Sequence, residues 1–306
     1  MIKWVLAVVL LILIGFAAYL GYFVLINFYS APTDFNVKYS ENISDAGNAL
    51  VYSSVKQSYD NMRFRTSRIT YYFANECARD KMERMAKAFE YIQNRTGIEF
   101  YESSLGDIEI TCGEEYKKEE LFVAGEGGPS SVINTSLFKV ISGGQIMLLY
   151  SESPCEDKYN VELHELLHVF GFGHSDNPKS IMYNLTSCDQ KVDEDITNRL
   201  ISIYRIPSLP DLYFKDVYAS KRGNYLNINF TMINQGLGDA QNVVVNLTVD
   251  SNGIDKFDFD EIKIGEGRIY YAGNIKVPMN TKSIKLTIIN AGEISDSNNE
   301  VVLTLD

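Results

Sequence analysis

From Val5 to Ile26 the chain reads VLAVVLLILIGFAAYLGYFVLI, apolar throughout and without a charged residue. At about 1.5 Å per residue, such a helix crosses a hydrocarbon core of roughly 30 Å. A cleavable secretory signal has an apolar core of only about 7 to 15 residues, so the length favours a retained transmembrane signal anchor over residues 4–28. Trp4, Phe28 and Tyr29 fall where interfacial aromatics belong. Residues 29–66 are polar, lack a strong period, and read as a stalk or lead-in.

Regular patterning begins after that stretch. ITYYF, 69–73, is β-branched and aromatic and predicts a strand. In RDKMERMAKAFEYIQNRTG the apolar residues Met82, Met85, Ala86, Phe89 and Ile92 recur at helical steps until Gly97 ends the pattern. That spacing assigns the methionines to a core face rather than to a cofactor stripe. IEFYE and DIEITC predict two short strands, AGEGGPSS a glycine-rich stretch, and GQIMLLY a further strand leading into a helix that carries HELLH. A last helix, roughly Val192–Tyr204, presents Val192, Ile196, Leu200 and Ile203 on one face.

Two prolines in IPSLPD mark a linker at residues 206–211. Beyond it, NYLNINFTMIN, NVVVNLTVD, KSIKLTIIN and NEVVLTL alternate as strands separated by Gly, Asn and Asp turns. The fold class is therefore α+β: a mixed unit over 67–206, then an all-β immunoglobulin-like sandwich over 211–306.

The length of 306 residues supports two ordinary domains with cores of their own. A net charge of −12, with no basic run beyond pairs such as Lys117 and Lys118, excludes nucleic acid as a partner and assigns the acidity to solubility. Lys3 and Lys38 flank the apolar helix too evenly to orient it, so other features must. The four cysteines Cys77, Cys112, Cys155 and Cys188 all lie downstream of the anchor and form no CxxC pair. Two disulfides are the economical reading; four thiols permit three pairings, and sequence order favours Cys77 with Cys112 and Cys155 with Cys188. Asn-x-Ser/Thr tripeptides at Asn42, Asn94, Asn134, Asn184, Asn229 and Asn246, each weak alone, join the cysteines in favouring an oxidising exterior compartment.

All three histidines of the chain, His164, His168 and His174, lie within eleven positions. Histidine used as polar filler would be scattered, so this segment needs imidazole itself. His164 and His168, four apart on a helix, sit one turn apart on one face, the spacing a tetrahedral metal takes from two imidazoles. Glu165 projects about 100° round the helix from His164, poorly placed to coordinate beside both histidines but able to reach a metal-bound water as general base. Gly171 lets the chain leave the helix through a left-handed conformation, and His174 returns as a third ligand. Three protein ligands leave a position open, which distinguishes a catalytic from a structural zinc.

His164, Glu165, His168, Gly171 and His174 spell HExxHxxGxxH, and Met182 follows in SIMY. The segment resembles the metzincin zinc metalloproteases, most of all the matrixin branch of prokaryotic surface type, over roughly residues 67–206. The resemblance implies a twisted mixed five-stranded sheet over the active-site helix, an edge strand that pairs with extended substrate, and Met182 as a floor beneath the ligands. It implies one catalytic Zn2+ and allows a Ca2+, for which no Asp-rich loop fixes a place. Asn184 stands where matrixins usually carry Pro, and it is not the Tyr that astacin-like and serralysin-like members place there. No tyrosine ligand is therefore carried over, and Tyr183 is assigned to the pocket wall. Residues 29–66 hold no cysteine, so the matrixin device of a propeptide thiol on the zinc has no counterpart there. PDLYF, MINQG and SDSNNEVVL in the C-terminal block resemble the CARDB-type adhesion-related β-sandwich of cell-surface proteins.

The expected function is a membrane-anchored extracytoplasmic zinc endopeptidase acting on protein or peptide substrates, with a cell-surface ligand for the C-terminal domain. Its main rival is a non-catalytic surface adhesion protein with a degenerate metzincin-like domain, which the intact histidines and Glu165 disfavour. A zinc hydrolase of another amide is a third reading.

Overall fold

The computed structural model describes residues 2–29, 31–39, 57–74, 76–114, 116–118, 121–150, 155 and 158–305. Asn42 and residues 40–56 of the expected lead-in lie outside the described residues. Helix α1 (Ile2–Val24) runs on through a short π-helical turn to Tyr29. Over Lys3–Asn27 it is long and apolar enough to cross a membrane; its apolar stretch is exposed, and Asn27 at its end is buried.

The chain then gives two short strands, β1 (Thr33–Asp34) and β2 (Asn36–Tyr39), before residues 40–56. The first unit contains β3 (Met62–Phe64), β4 (Arg68–Phe73), α2 (Arg79–Thr96), β5 (Glu99–Glu102) and β6 (Ile108–Cys112). After a small hairpin, β7 (Tyr116–Lys118) with β8 (Leu121–Val123), come β9 (Gly125–Asn134), β10 (Lys139–Leu148), α3 (Asn160–Val169) and α4 (Glu194–Tyr204).

The main sheet has six strands where five were expected. β9 runs antiparallel along one side of β10. The other side of β10 is shared end to end by β3 at residues 139–141 and β6 at residues 144–148, both parallel. The sheet is thus five strands wide, continuing through β4 to β5. The extra strand begins before position 67, because Met62 and Phe64 are buried in the same core as α2 and α3. The glycine-rich stretch is not an interruption but the start of β9. On α2 the buried face is Lys81, Met85, Ala88, Phe89 and Ile92, so Ala86 of the expected stripe is exposed and Ala88 takes its place.

The second unit adds β11 (Leu212–Arg222), β12 (Tyr225–Asn234), β13 (Ala240–Val249), β14 (Asn252–Ile262), β15 (Gly267–Lys276), β16 (Ser283–Ile289) and β17 (Glu300–Thr304). They form two antiparallel sheets facing each other across one apolar core. Each sheet takes in a strand from the N-terminal side. β1 pairs with β11 in one, and β2 with β17 in the other. Phe35, at the crossing, is buried among both sheets. This departs from the expected stalk over 29–66: its described start belongs to the sandwich and its described end to the sheet of the first unit. A small apolar contact of Phe138 and Val140 with Leu237 and Ile264 joins the two units.

Candidate metal centre

Helix α3 is buried on nearly every side. Between Val161 and Val169, His164 and His168 alone are not buried, so the packing turns one face outward and that face carries the imidazoles. The helix ends as its sequence dictates. Gly171 takes φ +82°, its N–H bonds the His168 carbonyl at 2.8 Å, and Phe172 N–H reaches back to the Leu167 carbonyl at 3.1 Å. That pair of bonds closes the last turn in a Schellman arrangement. A Cβ on Gly171 would also stand 2.2 Å from Met62 Sδ, so position 171 excludes other side chains twice over.

The reversed chain brings His174 to the other two, and the three imidazoles offer nitrogens that all lie within 4.8 Å of one another. His164 Nδ1 lies 2.7 Å from the Ile181 carbonyl and His168 Nδ1 2.7 Å from the Phe172 carbonyl. A carbonyl oxygen only accepts, so both Nδ1 atoms carry the proton. Burial holds His164 down to about 4 and lowers His168 as well, which keeps the rings neutral. Each Nε2 is then a bare lone pair. His168 Nε2 nevertheless stands 2.9 Å from His164 Nε2 and 3.2 Å from His174 Nε2. Lone pairs so arranged repel unless a cation lies between them, and ligands of a tetrahedral zinc at about 2.0–2.1 Å stand about 3.3 Å apart. The donor set fits that ion.

Glu165 is 5% exposed and lies against the glycine-rich start of β9. A Cβ on Gly125 would come 2.9 Å from its Oε1, and one on Gly127 would come 2.3 Å from its backbone oxygen. Burial, then the charges of Glu126 and Glu162, push the Glu165 carboxyl up to about 8 when no cation is beside it. Behind α3, Glu162 is buried and accepts from Tyr150 Oη and, at 3.3 Å, from Arg84 Nε of α2, which locks the two helices together.

Met182 is fully buried and sits in the turn that returns past His174: Ser175 N–H donates to its carbonyl at 2.8 Å. The Ser180 hydroxyl caps this turn, accepting from Met182 N at 3.0 Å and donating to Asp193. Tyr183 forms a bridge with Ser175, beside the histidines. Both disulfides are present, Cys77–Cys112 and Cys155–Cys188, each with Cα atoms 5.4 Å apart, and the second brackets the histidine segment.

The matrixin family model matches residues 63–205. Those residues are a matrixin-like domain. None of the curated proteins matches this chain. Among solved structures, the CARDB domain of a Pyrococcus furiosus protein, in complex with di-metal ions, aligns with 31% of this chain and 87% of its own at 12% identity, with a TM-score of 0.26. The match begins at Arg63, within β3. Within the matrixin-like domain, sequence reading passed over Gly125, Glu126 and Gly127. Their signal was the glycine-rich run itself, whose glycines leave room for α3 and Glu165.

Proposed function

We propose that the chain is a membrane-anchored, extracytoplasmic zinc endopeptidase in which His164, His168 and His174 hold the metal and Glu165 is the general base. The observation that carries this reading is the meeting of bare imidazole nitrogens at 2.9 and 3.2 Å, two of them deprived of their proton by carbonyl partners on the far side of the ring. Zinc bound there supplies Lewis acidity, which lowers the pKa of a coordinated water to roughly 7 and polarises a carbonyl.

The chain's own residues do the rest. The Ile181 and Phe172 carbonyls fix ring orientation and raise ligand basicity. Glu165 accepts a proton from the attacking water and passes it to the leaving amine from its place between α3 and β9. β9 is the antiparallel outer strand that packs on α3, and its outer edge offers a backbone row to an extended peptide. Met182 lies in the turn beneath this site as its floor. Retention of the full histidine and glutamate set favours catalysis over an inert adhesion domain. Two disulfides and an exposed apolar N-terminal helix support a place outside the cytoplasm at a membrane.

The test is zinc content per chain, together with cleavage of an unstructured protein. Glu165→Ala should keep about one zinc and lose about 10²–10⁴-fold in rate. His168→Ala should lose the metal. Cleavage by Glu165→Ala at the parent rate would remove Glu165 as base, and unchanged zinc in His168→Ala would refute the three-histidine site.

A further inference from the structure

Outside the matrixin-like domain, buried polar atoms without partners gather in one place. Of the seven such side-chain atoms among the described residues, five belong to Asp211, Asn290, Glu293, Asn298 and Asn299. Four are acceptors: Asp211 Oδ2, Glu293 Oε1, Asn298 Oδ1 and Asn299 Oδ1. Acceptors cannot satisfy one another: Asp211 Oδ1 and Glu293 Oε2 each have a donor, but the second oxygen of each carboxylate is buried without one, and an unpaired buried acceptor is costly.

The surrounding contacts bring these residues together. Asn298 Nδ2 donates to Asp211 Oδ1 at 2.8 Å, so its Oδ1 is correctly assigned as the free end. Leu212 N–H donates to Glu293 Oε2 at 2.9 Å, placing that carboxylate beside the residue next to Asp211. Ile294 N–H bonds the Pro210 carbonyl at 2.9 Å, so the loop between β16 and β17 is fastened over the linker. Asp211 is wholly buried and Asn299 is 6% exposed. Among the described residues, no lysine, arginine or histidine pairs with either carboxylate. Burial and the neighbouring Asp211 charge hold Glu293 above its ordinary range, although the Asn290 and Asn299 amides lie near enough to favour its ionised form. Neighbouring polar groups are not neglected in this way. Asn234, equally buried, accepts from Asp211 N and Gly236 N and donates to the Gly238 and Ile262 carbonyls.

We propose that Asp211, Glu293, Asn298 and Asn299 form a calcium site at the root of the C-terminal sandwich. Two carboxylates and two amide carbonyls, with no nitrogen or sulfur donor, are a hard oxygen set, and carboxylate with asparagine oxygen on a loop suits calcium rather than zinc. The site lies where the linker from the matrixin-like domain enters the sandwich. Gln235, whose Nε2 reaches Asp211 Oδ1 at 3.4 Å, accepts at its backbone carbonyl from Thr135 Oγ1 at 2.9 Å and at Oε1 from the Ser136 hydroxyl. Bound calcium thus fastens the 290–299 loop to the linker within two hydrogen bonds of the neighbouring domain. This assignment is independent of the zinc site.

The experiment uses the full chain in detergent with one equivalent of zinc, freed of calcium, and follows 45Ca binding by equilibrium dialysis and thermal unfolding as CaCl2 or MgCl2 is added. The expected result is about one calcium per chain, half-saturated at or below about 1 mM, with unfolding shifted upward by calcium and far less by magnesium. Asp211→Asn and Glu293→Gln should each weaken calcium binding by about tenfold or more. Both should also unfold at a higher temperature than the parent without calcium, since each removes one of two crowded like charges. His168→Ala should bind calcium as the parent does. Absence of binding by the parent at about 10 mM, equal binding of magnesium, or unchanged calcium binding in both isosteric variants overturns the proposal. Calcium lost in His168→Ala but kept in Glu293→Gln overturns it too, by moving the ion to the other domain.

Discussion

Gly127 shows how one missing side chain sets the site. Its φ is not in the left-handed region, so backbone freedom is not what the position requires. What it requires is the 2.3 Å that a Cβ would leave to the Glu165 carbonyl, a distance no packed atoms tolerate. Gly127→Ala must push α3 off β9 or bend β9. The expected cost is about 1–3 kcal/mol in urea unfolding, with a loss of cleavage larger than the fraction unfolded explains, because the displaced helix carries the proposed base. Unchanged stability would mean that β9 yields freely. The neighbouring imidazoles follow the same logic of local contact: the identity of the residues was plain in HELLHVFGFGH, but the tautomers depend on carbonyls at Ile181 and Phe172.

At the scale of elements, α3 is held from both ends and from behind. Tyr150, Arg84 and Glu162 join it to α2, the Gly171 turn closes it, and Cys155–Cys188 spans the whole histidine segment with a sequence separation of 33. A loop of that size implies about 3–4 kcal/mol from restriction of the unfolded chain, and the same holds for Cys77–Cys112 at separation 35. Replacing either pair by Ala should therefore lower stability by a similar amount in denaturant titration. The two differ in consequence. Loss of Cys155–Cys188 should weaken zinc retention against a chelator, whereas loss of Cys77–Cys112, which ties the entry of α2 to the end of β6, should leave it near the parent value. Equal zinc loss in both would refute the separate roles. The last helix is fixed by another long-range contact: buried Arg63 donates to the Ile203 and Ile206 carbonyls at 2.6 and 2.9 Å, satisfying the open end of α4.

For the molecule as a whole, the order of parts in space is not their order in the chain. Residues leaving α1 first complete the sandwich, then the chain passes to the matrixin-like domain and returns to the sandwich. Asn27 Oδ1 accepts from Asn224 N at 2.9 Å, so the β11–β12 turn rests against the end of the apolar helix. The sandwich therefore lies beside the apolar helix. Phe35 tests this arrangement: as part of a stalk it would be silent, but as a core residue its replacement by Ala should cost about 3–5 kcal/mol. Thermal or denaturant unfolding of the full chain measures it, and a change near zero would return the segment to the role of a spacer. Phe138, Val140, Leu237 and Ile264, with the Arg65–Asp239 ion pair at 2.9 Å, fix how the two domains meet.

The sequence by itself determined whatever depends on neighbours in the chain: the apolar helix, the amphipathic α2, the alternating strands after the linker, and the spacing that sets His164 and His168 one helical turn apart. Four cysteines permitted three pairings, and it was the structure that joined Cys77 to Cys112 and Cys155 to Cys188, the pairs sequence order suggested. Tertiary structure decided what depends on distant partners. β9 escaped local reading because its glycines are chosen for the helix that packs on it, not for strand propensity. β1 and β2 escaped because two- and four-residue strands carry no period and exist only by pairing with β11 and β17. The unpaired oxygens around Asp211 were invisible for the same reason: a buried acceptor becomes an anomaly only when the fold shows that no donor reaches it.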